Sequence, residues 1–201
     1  MLSLFFSSVL SSIIPTPSRY PGLTWGVSDP DVGVEVFIDP LCPDCMAIWP
    51  TIQQTLKRYS SKAFKVTAHL LPLPYHTWAF LITRSILAVK RIDIELAKKF
   101  IDNLYSGDLN MFQNNVLYDV SEENVLKIVA NYVQEKLNVD NSKFLNLYNQ
   151  VGVASEARIE FKFAAAHGIC STPTVYVNGV ETELGSEVKT DKWFDFLDPL
   201  F

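Results

Sequence analysis

Two cysteines separated by two residues, Cys42-Pro43-Asp44-Cys45, are the part of this chain best suited to chemistry. Such a pair supports either thiol–disulfide exchange or half of a zinc site. A structural zinc ion takes four ligands. Here the one other cysteine, Cys170, is distant in sequence, and His69, His76 and His167 are too scattered to form a metal motif. The redox reading therefore leads, with no metal and no cofactor expected. If the pair opens a helix, Cys42 lies at its tip and Cys45 one turn in, at a separation compatible with a disulfide. Unpaired N–H groups at a helix start stabilise a thiolate. Cys42 is then the attacking thiol, expected to face solvent, and Cys45 the shielded thiol that resolves the mixed disulfide. Pro43 suits the first helical turn, where its missing N–H costs nothing. Asp44 works the other way: a carboxylate beside a thiolate repels it by about 1 kcal/mol or more. This favours a mild or reducing poise over a strongly oxidising one.

The surrounding sequence supplies the elements that hold such a pair. Val32–Ile38 (VGVEVFI) reads as a strand ended by Asp39-Pro40. Cys45, Ile48, Trp49, Ile52 and Leu56 then form one apolar helical stripe. Phe64–Leu71 reads as a second strand, completing the βαβ order of an α/β domain. Helices are predicted over Thr77–Lys90 and Ile94–Leu104, then after an N-cap at Ser121, over Asn141–Tyr148 and over Ser155–His167. Near the end, Thr174–Val177 and Val180–Leu184 flank Asn178-Gly179, a strong hairpin signal. Thr190–Leu197 reads as a closing helix.

Composition narrows the classes. The chain has 201 residues, 48% hydrophobic and 19% charged, with a net charge of −5. That is a globular composition with one ordinary domain's worth of core. An acidic balance argues against nucleic acid as a partner. No apolar run is long enough to span a membrane. Residues 1–17 form an N-terminal arm or a secretory signal segment: Met1–Ile14 is apolar but has no basic residue ahead of it and no clean cleavage site behind it. The compartment is correspondingly open, secretory pathway or extracellular if that segment is a signal, cytoplasm otherwise. The final Asp198-Pro199-Leu200-Phe201 is not an ER-retention tetrapeptide.

Three segments together resemble the DsbA-like branch of the thioredoxin superfamily. FIDPLCPDC resembles that branch's strand–turn–CPxC segment, with Asp39 three residues before Cys42. Pro50, five residues after Cys45, matches the proline found inside the first helix of thioredoxins. GICSTPTVYVNG resembles the segment that leads into the terminal hairpin. The resemblance covers about residues 25–197 and implies an α/β thioredoxin-like fold, a central mixed β-sheet flanked by helices. It implies one domain over residues 18–201 with a helical insertion at about 77–150. It also implies that Pro173 is a cis-proline facing the cysteine pair and that Thr172 offers backbone groups to a bound peptide. LPLPYHTWAF (residues 71–80) resembles a recurring segment of uncharacterised eukaryotic members. One departure matters: the buried Glu that many members carry six residues before the first cysteine is Val36 here, and Glu35 should point to the opposite sheet face. Asp39 either substitutes as internal proton acceptor or, the favoured reading, caps the turn.

The resemblance implies a thiol–disulfide oxidoreductase acting on protein thiols or disulfides, with a redox partner or glutathione completing the cycle, in a monomer. A peptide-binding or chaperone-like module on the same fold is the rival, although such a module has no need of Cys45. A glutathione-using transferase ranks lower, because that group typically carries Ser at the position of Cys42. Cys170 reads as a small buried residue, with an alternative disulfide near the site as the sharper reading. His76 reads as a loop residue that could line a substrate groove.

Overall fold

In a computed structural model describing residue 17 and residues 19–201, five strands form one mixed sheet in the order β1-β3-β2-β4-β5. The strands are β1 (Leu23–Gly26), β2 (Val32–Ile38), β3 (Phe64–Leu70), β4 (Thr174–Val177) and β5 (Val180–Thr182). β2 runs parallel to β3, and the other neighbours are antiparallel. Helix α1 (Pro43–Arg58) makes the crossover between β2 and β3. Five helices, α2 (Ala79–Lys90), α3 (Ile94–Tyr105), α4 (Glu122–Leu137), α5 (Asn141–Tyr148) and α6 (Val151–Ala166), separate β3 from β4, and α7 (Thr190–Leu197) closes the chain. The fold is thioredoxin-like with a helical insertion. The expectation for residues 1–16 lies outside the described residues. Among those described, no helix is long and apolar enough to cross a membrane.

Alternation along β2 sorts its side chains onto two faces. Val34, Val36 and Ile38 join the large core shared with α1, α2, α3 and α4, while Phe37 packs with Leu71, Leu73, Ala164 and Ile169 under α6. The α1 stripe meets the first of these cores: Cys45, Ile48, Trp49 and Ile52 are buried and Leu56 packs at its edge. The helix continues through Pro50, whose ring nitrogen has no hydrogen to donate to the preceding turn. Ser121 caps α4 by accepting from the Asn124 N–H, as its position suggested. Asn178 and Gly179 both take positive φ, 49° and 81°, the twist that a two-residue hairpin turn requires.

Boundaries moved where tertiary contacts outweighed pattern. α2 starts at Ala79 rather than Thr77, because the Asn114 side chain holds the Thr77 N–H in the loop. α6 starts at Val151, running through Gly152; a side chain there would press on the Arg91 guanidinium. β1 was not expected from sequence, being only four residues long. Its pairing with β3, Leu23 opposite Ala68, fixes it.

Candidate active site: a thiol pair at the carboxyl ends of two strands

β2 ends at Ile38, and the chain turns through Asp39, Pro40 and Leu41 into α1 at the carboxyl edge of the sheet, where open α/β sheets place their sites. Asp39 shapes that turn. One carboxylate oxygen accepts from the Leu41 N–H at 2.7 Å, and its backbone carbonyl accepts from the Cys42 N–H at 3.0 Å. Cys42 is thereby the N-cap residue of α1, with extended backbone, followed by Pro43 in the first turn and the exposed Asp44.

Both site cysteines are free thiols. Cys45 is fully buried, on the apolar stripe. Cys42 is less open than its place at the helix tip suggested, at 5% exposure, because the loop before β4 covers it. The Cys42 thiol points to the Thr172 carbonyl, Sγ to O 3.5 Å, and the Thr172–Pro173 peptide is cis. The Thr172 hydroxyl is buried without a hydrogen-bond partner in this thiol state, yet lies close enough to help stabilise a thiolate on either sulfur. The structure thus brings Cys42, Cys45, Asp39, Thr172 and Pro173 together, with Pro43 and Asp44 on the outer rim. Cys170 is exposed, so its reading as a small buried residue does not hold.

The two thiols differ in character. Cys42 is lowered from 9.0 to about 6, chiefly by the hydrogen bond from the Cys45 thiol, with help from Thr172 and the N–H groups of Cys45 and Asp44, against the opposing effect of burial. Asp44 enters through its backbone N–H at the helix start. Burial, followed by the hydrogen bond to Cys42, pushes the Cys45 thiol well above the ordinary thiol value. One sulfur is set to ionise and the other to keep its proton.

Behind the sulfurs lies a polar group that the sequence only partly announced. The other Asp39 oxygen accepts from the Leu73 N–H at 2.6 Å and meets His76 Nδ1 at 2.8 Å. Tyr105, fully enclosed at the end of α3, donates its hydroxyl to the Asp39 carbonyl at 2.8 Å and borders the Cys45 sulfur. Gln113 donates to the Leu41 carbonyl at 2.8 Å, fastening the insertion to the turn. His76 was visible as a loop histidine in a distinctive segment. Tyr105 carried no signal beyond its place on an apolar helix face, and Gln113 carried none.

A family model described as "Thioredoxin" matches residues 19–198. The chain belongs to that thioredoxin family. No curated protein sequence matches it. Among solved structures it is similar to a Pseudomonas syringae protein provisionally assigned as a protein-disulfide isomerase: TM-score 0.75 and 20% identity, over 88% of this chain and 97% of the other. It is also similar to the thiol-disulfide exchange protein α-DsbA2 of Wolbachia pipientis, with TM-score 0.67 and 19% identity over 90% and 87% of the two chains. Oxidised BdbD of Bacillus subtilis gives TM-score 0.69 and 15% identity over 89% and 90%. At these identities the likeness is one of fold.

Proposed function

We propose that this protein is a thiol–disulfide oxidoreductase acting on protein thiols and disulfides through Cys42 and Cys45. The observation that carries the reading is the division of labour between two adjacent sulfurs, one lowered to about 6 at a helix N-terminus and one buried and held protonated. At neutral pH roughly nine-tenths of Cys42 is thiolate at that value. In the reductive direction the Cys42 thiolate attacks a substrate disulfide, forming a mixed disulfide and releasing one substrate thiolate. Cys45 then loses its proton and attacks Cys42 Sγ, forming the Cys42–Cys45 disulfide and releasing the second thiolate. The oxidative direction is the reverse. A stabilised Cys42 thiolate favours the reduced protein and so makes the disulfide the more oxidising partner. Thr172 and Pro173, lying against Cys42, present backbone to an incoming peptide, and Pro173 leaves the hydrogen bonding to Thr172.

The test uses a peptide with a single disulfide. Cys45→Ser should accumulate a covalent mixed disulfide with the peptide, seen by mass under non-reducing conditions. With Cys170→Ser as background, which removes the exposed third thiol, Cys42→Ser should form none and should lose exchange activity. Equal activity in Cys42→Ser and wild type would remove the proposal.

A further inference from the structure

Strand β5 ends the sheet: it pairs with β4 on one side and, among the described residues, with no strand on the other. Val177 and Val180 flank the two-residue Asn178-Gly179 turn and so form the hydrogen-bonded pair of the hairpin, which leaves Tyr176 and Glu181 as the next, non-hydrogen-bonded pair. The backbone N–H and C=O of Glu181 therefore point away from β4, off the edge of the sheet. The side chains divide by face. Val180 and Thr182 lie opposite Val177 and Val175, on the face of the main core and α7. Glu181 lies opposite Tyr176, on the face of α6, and accepts from the Tyr176 hydroxyl at 3.2 Å. Between β5 and α7 is an open groove of about 600 Å³. Buried Leu184 lines it together with Val180, Phe196 and Leu200, which remain 67%, 44% and 43% exposed. Open apolar side chains gathered around one groove mark a contact site more than scattered surface residues do. Among the described residues no Lys, Arg or His lines this groove, whereas Glu181 and Glu183 do, both exposed and without a cationic partner.

We propose that the β5 edge and the groove beside α7 dock an extended, basic segment of a partner protein, which alternates apolar and Lys or Arg side chains and adds to the sheet as a further strand. The backbone groups of Glu181 supply the main-chain hydrogen bonds of such an addition, and the groove supplies a pocket for alternate side chains. The period of two does the sorting. Every second side chain of the added strand enters the groove beside Val180, Phe196 and Leu200, and those between them come up on the α6 face beside the Glu181 carboxylate. Opposite charges directly across a strand pair stabilise it and like charges destabilise it. That excludes a second copy of this chain paired edge to edge, since Glu181 would meet its own kind and the net charge of each copy is −5. An edge glutamate thus bars self-pairing and admits a basic strand. The surface is separate from the thiol pair. β4 runs antiparallel to β2, so the Asn178-Gly179 turn lies toward the end of the sheet opposite Cys42.

The probe is a dye-labelled, cysteine-free peptide about eight residues long, alternating valine and lysine, titrated into the full chain and followed by fluorescence anisotropy. Binding should saturate, and raising the salt to about 1 M should weaken it several-fold by screening the lysines from Glu181. Glu181→Lys should weaken it by at least about tenfold and should let a peptide alternating valine and glutamate bind instead, because the charge pair is then reversed. Val180→Asp should weaken it by a similar factor while leaving thiol exchange at Cys42 unchanged. Wild-type protein supplies a check that needs no variant: hydrogen exchange at the Glu181 amide should slow by at least about tenfold when the peptide is bound, since strand addition engages that N–H. A full chain that takes up no peptide, whether because residues 1–16 or a second copy fills the groove, overturns the proposal. So does binding that ignores the charge reversal, a Glu181 amide that stays unprotected, or a fatty acid that saturates the groove where the peptide does not. None of these outcomes bears on the oxidoreductase reading, which stands or falls on Cys42 and Cys45.

Discussion

Two histidine–carboxylate pairs lie along β2, one past its end and one on the face covered by α6, and they differ in which partner is buried. Asp39 and His76 meet at 2.8 Å just past the strand's end. Glu35 and His69 meet at 3.3 Å across β2 and β3, on the face covered by α6. The residue types are nearly the same, but burial is exchanged. At the site the carboxylate is enclosed and the imidazole reaches outward; on the far face His69 is fully buried and the Glu35 side chain is 25% exposed. Asp39 has every side-chain oxygen engaged. Glu35 takes a 2.6 Å bond from the Tyr20 hydroxyl, and His69 Nδ1 is buried with no partner. The far pair therefore has a solvated acid and a sealed base, an arrangement that stacks rings: His69 lies against Phe37 and Phe163. The site pair has a sealed acid and an accessible base.

The largest effect should come from removing the enclosed acid. Asp39→Ala strips the acceptor from two buried N–H groups and from His76. Each orphaned group costs about 1–3 kcal/mol, so a loss on the order of 3–5 kcal/mol is expected in urea unfolding of the reduced protein. Glu35→Ala removes a partly exposed partner, and the loss there should be about 1 kcal/mol or less. Equal losses would mean that the two pairs are alike in kind and that burial does not distinguish them.

A second measurement asks whether the far pair reaches the thiols. Absorbance titration of reduced protein should show the Cys42 thiolate forming with a midpoint near 6, with Cys45 silent until strongly alkaline pH. Because the folded value is depressed, ionisation of Cys42 adds stability that is fully present above 9.0, the ordinary value, and lost as pH falls through about 6. Reduced wild type should therefore gain stability over Cys42→Ser between those limits as pH rises. Glu35→Gln should leave the midpoint where it is. A midpoint that moves with Glu35 would join the two faces electrostatically and break the contrast.

Local pattern revealed one side of this contrast and hid the other. Strand β2, the α1 stripe, the Ser121 cap and the Asn178-Gly179 hairpin are governed by residues near one another in the chain, and the sequence reads them. The placement of Glu35 away from the cysteines also follows from strand alternation alone. The Asp39–His76 contact joins a strand end to a loop 37 residues on, and nothing local to either residue encodes it. Tyr105 and Gln113 arrive from the helical insertion, whose docking depends on packing across the whole core. Cys42 was read as open because a helix tip usually is; the loop that covers it is 130 residues away in sequence.

The subtlest difference between the pairs is the sign of their pH dependence. Asp39 is raised above its ordinary 3.8 because burial disfavours its charge, the bonds from His76, Leu41 and Leu73 opposing this only in part. A carboxyl with a raised folded value binds its proton more tightly in the native state. Its contribution to stability is then greatest below 3.8 and declines as pH rises through the folded value. Glu35 is lowered from 4.5, first by the hydrogen bond from His69 and then by Tyr20, against partial burial. Its contribution is present above 4.5 and is lost as pH falls through the folded value. The stability advantage of wild type over Asp39→Asn should therefore shrink as pH rises out of the acid range. The advantage over Glu35→Gln should grow over the same change. The two opposite slopes are measurable by urea midpoints at a series of pH values. Parallel slopes would show that His76 outweighs burial at Asp39, making the site pair an ordinary ion pair like Glu35 and His69.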